Sequence, residues 1–106
     1  MEFKYEQREE TLNIVLPSEI DHHSAKRVRS EADSWIAKMR PKLVVLDFVK
    51  VSFMDSSGIG LIIGRYKLVT PYGGRVVVEN VSERIYKLLV MAGMKKLIEI
   101  RGGLYV

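Results

Sequence analysis

Apolar and polar residues alternate along the first sixteen positions and then change period. Residues 3–8 and 12–16 each show partial period-two alternation, and Leu12, Ile14 and Leu16 share one face of the second run. The short polar stretch Glu9-Glu10-Thr11 lies between them, so the pattern predicts an antiparallel hairpin. From 25 to 39 the spacing becomes three and four. Ala25, Val28, Ala32, Trp35, Ile36 and Met39 then form one apolar stripe along a helix. Asp21 or Ser24 can cap its start, and Pro41 helps to end it.

Leu43-Val44-Val45-Leu46 is continuously apolar, which predicts a strand covered on both faces, as in a parallel sheet. A second helix is expected over 57–69, with Ile59, Ile62, Ile63, Tyr66 and Val69 facing inward. Pro71-Tyr72-Gly73-Gly74 reads as a turn, and Arg75 to Glu79 as another buried strand. Ser82 caps a third helix carrying Ile85, Leu88, Leu89 and Ala92, which Gly93 closes. Leu97 to Ile100 is a short last strand, and Gly102-Gly103 loosens the tail.

The order β-β-α-β-α-β-α-β predicts an α/β fold in a single domain spanning 1–106. Its sheet has four or five strands, mostly parallel, with an antiparallel N-terminal edge strand and helices packed on it. In such a sheet the loops leaving the carboxyl ends of the parallel strands share one rim, where ligands bind. Those loops are Pro17 to Ser24, Lys50 to Ser57 and Asn80 to Ser82.

Composition narrows the chemistry. There is no cysteine, so disulfides, thiolate catalysis and cysteine-held metals are excluded, and a cytoplasmic setting is expected. Residues Met1 to Glu6 lack a basic segment followed by an apolar one, so no signal peptide is expected. The longest charge-free apolar stretch, Ile59 to Gly64, is far short of the roughly 20 residues that span a bilayer. Seventeen basic and thirteen acidic residues leave a net charge of +4. They are interspersed rather than gathered in a stripe; only Lys95-Lys96 with Arg101 comes near one. The pattern therefore describes a solvated surface and not a nucleic-acid face.

One segment exceeds structural need. Asp55-Ser56-Ser57-Gly58-Ile59-Gly60 sits on the rim, where a strand turns into a helix. Ser57 or Ser56 can cap that helix. One serine suffices for a cap, however, and each of Gly58 and Gly60 costs a helix about 1 kcal/mol relative to alanine. The glycines are expected to allow close approach of backbone to the sheet or to a partner. G-x-x-x-x-G-K-[ST], G-x-G-x-x-G and G-x-S-x-G are all absent, which weakens nucleotide-loop and hydrolase readings. His22 and His23 share the rim and could serve as a base, but adjacent side chains diverge and no third metal ligand has suitable spacing. Asp21 could hold the Ser56 hydroxyl or repel a phosphate placed there.

Three segments together carry a resemblance. Glu19-Ile20-Asp21-His22-His23-Ser24-Ala25, Ser52-Phe53-Met54-Asp55-Ser56-Ser57-Gly58-Ile59-Gly60 and Gly64-Arg65-Tyr66-Lys67 resemble the anti-sigma-factor antagonists with a STAS domain. The likeness is strongest to those of the sporulation sigma-F system. It implies a non-enzymatic regulator of transcription that works by partner switching. The unphosphorylated protein binds an anti-sigma factor that is itself an ATP-dependent serine kinase, and so frees the sigma factor. The kinase phosphorylates the antagonist and releases it, and a PP2C-type phosphatase resets it. By the same resemblance the acceptor is Ser56; the residues at the helix start leave Ser57 as the expected cap. Partner contacts fall on Asp21, His22, His23, Asp55, Ser56, Ser57, Gly58, Ile59 and Gly60. No catalytic residue, metal or cofactor is implied. Service to a general stress sigma factor, and a nucleotide-binding module, stay open as other readings.

Overall fold

The computed structural model describes residues 4–8 and 10–102. Strands β1 (Lys4–Arg8) and β2 (Thr11–Val15) form the expected antiparallel hairpin. They lead into β3 (Glu19–Ile20), helix α1 (His22–Met39), β4 (Leu43–Asp47), β5 (Phe53–Met54) and helix α2 (Ser56–Val69). After a 3-10 turn come β6 (Arg75–Val81), helix α3 (Glu83–Met91), a second 3-10 turn (Met94–Lys96) and β7 (Glu99–Gly102). The main sheet has five strands in the order β1-β2-β4-β6-β7, with every pair after the hairpin parallel. This is the predicted α/β architecture. The last strand begins two residues later than expected and takes in Gly102, which therefore does not loosen the tail; Gly103 lies outside the described residues.

The core joins alternate strand residues, Leu12, Ile14, Val44, Leu46, Val76 and Val78, to the inner faces of all three helices. Val45 and Val77 are buried too, yet lie outside that cluster. The central strands are thus covered throughout, while the helices gather on the Val44/Leu46 face.

Some helix positions depart from the periodic reading. Trp35 is 37% exposed although it falls on the apolar stripe of α1; Ala25, Val28, Ala32 and Ile36 suffice to bury that face. On α2 the buried set is Gly58, Leu61, Ile62, Arg65 and Val69, with Ile59, Ile63 and Tyr66 only half-buried. The helix is apolar nearly all round at its start, so periodicity does not choose its inner face. On α3 only Ile85 and Leu89 are buried, and Leu88 and Ala92 face outward. Nine residues reach the sheet with one turn's worth of contacts, and Met94 and Ile98 complete the core behind them.

Arg65 links α2 to α1. Its side chain is 4% exposed, with Nε 2.9 Å from Asp33 Oδ1. Nη2 donates to Asp33 Oδ2 at 3.4 Å. Burial pushes the Asp33 carboxyl up and the Arg65 guanidinium down, and their mutual attraction opposes both shifts. The pair joins the two helices at one point, with Arg65 buried and Asp33 half-buried.

Candidate functional site

Two short strands build the site. β3 and β5 form a separate parallel ladder in which Glu19 faces Phe53 and Ile20 faces Met54. Ser18 O accepts from Ser52 N–H at 2.8 Å, and Ile20 O accepts from Asp55 N–H at 3.1 Å. This zipper holds the loops after β2 and β4 edge to edge. Each short strand feeds directly into a helix, so the starts of α1 and α2 lie together on the rim. Periodicity cannot reveal such strands, because two residues contain no period.

Asp21 caps α1. Its carboxylate accepts from Ser24 N–H at 2.9 Å, while Ser24 Oγ accepts from Asp21 N–H at 3.0 Å, a reciprocal capping box. The Ser24 backbone N–H, helped by the Ser24 hydroxyl and by His23, holds the Asp21 carboxyl below its ordinary value. Ser24 is buried, and its hydroxyl donates to Glu19 O at 2.7 Å. The Asp21 carboxylate is therefore committed to its own helix and does not hold the Ser56 hydroxyl.

At α2 the cap is Asp55, not either serine. Its carboxylate accepts from Ser57 N–H at 2.8 Å. Aspartate is as good a cap as serine and stands one position earlier, at the last extended residue before the helix. Both serines are thereby released from the role that sequence gave one of them. Ser56 is exposed, and its hydroxyl makes no hydrogen bond among the described residues.

The two serines border different depressions. Ser57 lines a cleft between α1 and α2 with His22, Lys26, Arg29, Gly60 and Leu61. Ser56 lines a groove on the other side, between α2 and α3. Asp21 and His23 border a third depression with Glu19 and Arg27. His22 and His23 thus point apart, and no three potential metal ligands come together among the described residues. Gly58 explains itself within the chain: a Cβ there would collide with the Met54 side chain of β5. Gly60 does not, because a Cβ there would meet nothing within 4 Å. The expected close approach to the sheet holds for the first glycine only.

The third rim loop is tied in from β4. Asp47 Oδ1 accepts from Val49 N–H at 3.0 Å and from Asn80 Nδ2 at 2.9 Å. Asn80 adopts φ 58°, a left-handed conformation that asparagine tolerates. Ser82 Oγ then accepts from Ile85 N–H at 3.2 Å and caps α3 as expected. No helix among the described residues is long and apolar enough to cross a membrane.

Residues 2–104 match the family described as STAS domain. The chain is 36% identical over 100 residues to the anti-sigma F factor antagonist of Paenibacillus polymyxa, covering 94% of this chain and 86% of that one. It is 33% identical over 94 residues to the anti-sigma-B factor antagonist of Bacillus subtilis (strain 168), covering 89% and 84%. Among solved structures it is similar to the anti-sigma factor antagonist SpoIIAA in its unphosphorylated form. The TM-score is 0.83 at 30% identity, over 93% of this chain and 87% of that one. SpoIIAA in its phosphorylated form gives a TM-score of 0.76, also at 30% identity, over 93% and 90%.

Proposed function

This chain belongs to the STAS-domain family, and we propose that it is an anti-sigma-factor antagonist switched by phosphorylation of Ser56. In its unphosphorylated form it binds an anti-sigma factor with ATP-dependent serine kinase activity and releases the sigma factor. Phosphate on Ser56 ends that binding, and a PP2C-type phosphatase restores it. The protein acts in the cytoplasm by binding and not by catalysis. Its partner contacts are Asp21, His22 and His23 on one helix start and Asp55 to Gly60 on the other.

The observation that carries this reading is the idle hydroxyl of Ser56. It stands exposed at the first residue of α2, while Asp55 does the capping. A phosphate there brings about −1.5 to −2 charges and three strong acceptors. The positive end of a helix tolerates such a group, so the fold needs no rearrangement. A closed protein interface does not tolerate it, because burying a hydrated dianion without a partner is costly. Asp55, and Asp21 on the adjoining helix start, add negative charge beside it.

The sporulation sigma-F system is the favoured setting, supported by the 36% identity to an anti-sigma F factor antagonist. The relative named for sigma-B is nearly as similar and supports a general stress pathway as the second reading. Capturing the unphosphorylated protein's partner and identifying it by mass spectrometry separates the two. Incubation with that kinase and ATP is expected to place phosphate on Ser56. Ser56→Ala is expected to abolish labelling and still bind. Phosphate mapped to Ser57 alone would overturn the assignment.

A further inference from the structure

A row of cations on α1 faces the start of α2 with too few anions to match it. His22, Lys26 and Arg29 recur at four- and three-residue spacing, so they share one face of α1. With Ser57 and Gly60 of α2 they line a cleft of about 200 Å³. No carboxylate lines it, and neither Lys26 nor Arg29 makes an ion pair among the described residues. One turn beyond Arg29 on α1 stands Asp33, already paired with the buried Arg65. Burial is the main cause of the shifts in that pair, and the Arg29 charge opposes the rise of Asp33 and adds to the fall of Arg65. Arg29 and Arg65 thus share one carboxylate, and Lys26 brings a charge with no ion-pair partner among the described residues.

We propose that this cleft binds a small oxyanion, a phosphate group or one of its shape and charge, between Lys26, Arg29 and the Ser57 hydroxyl. The Arg29 guanidinium offers paired N–H donors that match two phosphate oxygens, and the Lys26 ammonium supplies a point charge. The Ser57 hydroxyl is free to join them, because Asp55 and not Ser57 caps α2. Size selects the ligand class. A cleft of about 200 Å³ lies below the roughly 300–1,000 Å³ of sites that enclose drug-sized molecules, so it has room for a phosphate group but not for a nucleoside beside it. A bound anion neutralises the cation row and ties α1 to α2, and it therefore stabilises the domain by ordinary linkage. Ser56 borders the other side of α2, and the inference does not rest on its being the phosphoacceptor.

The test follows the thermal midpoint of the full chain as potassium phosphate replaces potassium chloride at constant pH and ionic strength, which holds screening fixed. A saturable rise is expected, about 5 °C or more once phosphate exceeds its dissociation constant tenfold. Phosphorus NMR of the phosphate line, broadened or shifted by the protein, reads binding directly. Lys26→Gln/Arg29→Gln is expected to lose both the rise and the phosphorus response, and circular dichroism checks that it folds. Lys38→Gln/Lys67→Gln removes exposed lysines near the far ends of the same two helices and is expected to keep both. Free phosphoserine replaces phosphate in a second series. A larger rise than phosphate gives would assign the site to a phosphoryl group carried on a side chain, and a smaller one or none would assign it to the free ion; either supports the site. If neither ligand raises the midpoint, or if Lys26→Gln/Arg29→Gln keeps the whole rise, the cleft is only a charged surface and the proposal falls. Loss of the rise in Lys38→Gln/Lys67→Gln as well would attribute it to overall charge and would also overturn the proposal.

Discussion

A methyl group added at Gly58, Gly60 or Gly64 meets three different surroundings within one helix. All three positions lie in α2, and none has positive φ. Alanine is therefore conformationally acceptable at each, and exchanging glycine for alanine in a helix interior gains about 1 kcal/mol. At Gly60 and Gly64 the new Cβ meets nothing within 4 Å, so the full gain is expected. At Gly58 it collides with the Met54 side chain, which is 7% exposed and belongs to the β3–β5 ladder. The atoms it meets include Met54 Cγ and Sδ, so the nearly buried Met54 side chain must leave its present rotamer. Overpacking of this kind costs about 1–3 kcal/mol. Set against the helix gain, a net loss of about 1 kcal/mol is expected.

Thermal denaturation, followed by the fluorescence of the single tryptophan and by far-ultraviolet circular dichroism, reads these differences. Gly60→Ala and Gly64→Ala should each raise the thermal midpoint by about 4 °C. Gly58→Ala should lower it. Binding separates the two stabilised variants. Gly60 lines the cleft beside His22 and Ser57, whereas Gly64 lies a full turn further along the helix. Neither glycine is required by a neighbour, but only Gly60 lies on the surface where the proposed function places its partner contacts. Gly60→Ala is therefore expected to be the more stable protein and the weaker binder, and Gly64→Ala to be more stable with unchanged affinity. Stabilisation at Gly58, or undiminished binding by Gly60→Ala, would refute the reasoning.

Two further outcomes follow from the helix starts. Asp55→Ala is expected to cost about 1 kcal/mol as a lost cap, and Ser57→Ala much less, because only the backbone N–H of Ser57 takes part in the cap; equal losses in urea melts would contradict Asp55 as the cap. The lowered Asp21 carboxyl contributes stability that is present above its unfolded value of 3.8 and is lost as pH falls through the lower folded value. Asp21→Asn, which can still cap but cannot titrate, is expected to lose less of the α1 circular dichroism signal on acidification to pH about 3; identical acid profiles would remove Asp21 from the linkage.

What the sequence disclosed depended on how many residues each feature spans. The five main strands and three helices show an apolar pattern over four residues or more, alternating, continuous or helical, and the helices' inner faces are legible except where a helix is apolar on several sides. At Leu88 that exception matters. Spacing from Ile85 placed it inward, but a nine-residue helix buries only Ile85 and Leu89. Arg65 was hidden for the opposite reason: a cation on a helix reads as surface, yet here it is buried against Asp33. The β3–β5 ladder left no trace in periodicity, and it is the element that brings Asp21 and Asp55 together.

The candidate site itself was visible as a surplus, two serines and two glycines where a helix start needs one cap. The structure sharpens that surplus, since Asp55 takes the cap and leaves neither serine necessary to it. Ser56 has an idle hydroxyl, Gly60 has empty space around it, and Leu88 and Met91 expose apolar surface. Each is a choice that folding does not require, and each borders the first turns of α2. Local departures from what a fold needs mark function when they converge. Here a hydroxyl, a gap and exposed apolar side chains flank one helix start on its two sides, where the proposed function places its contacts.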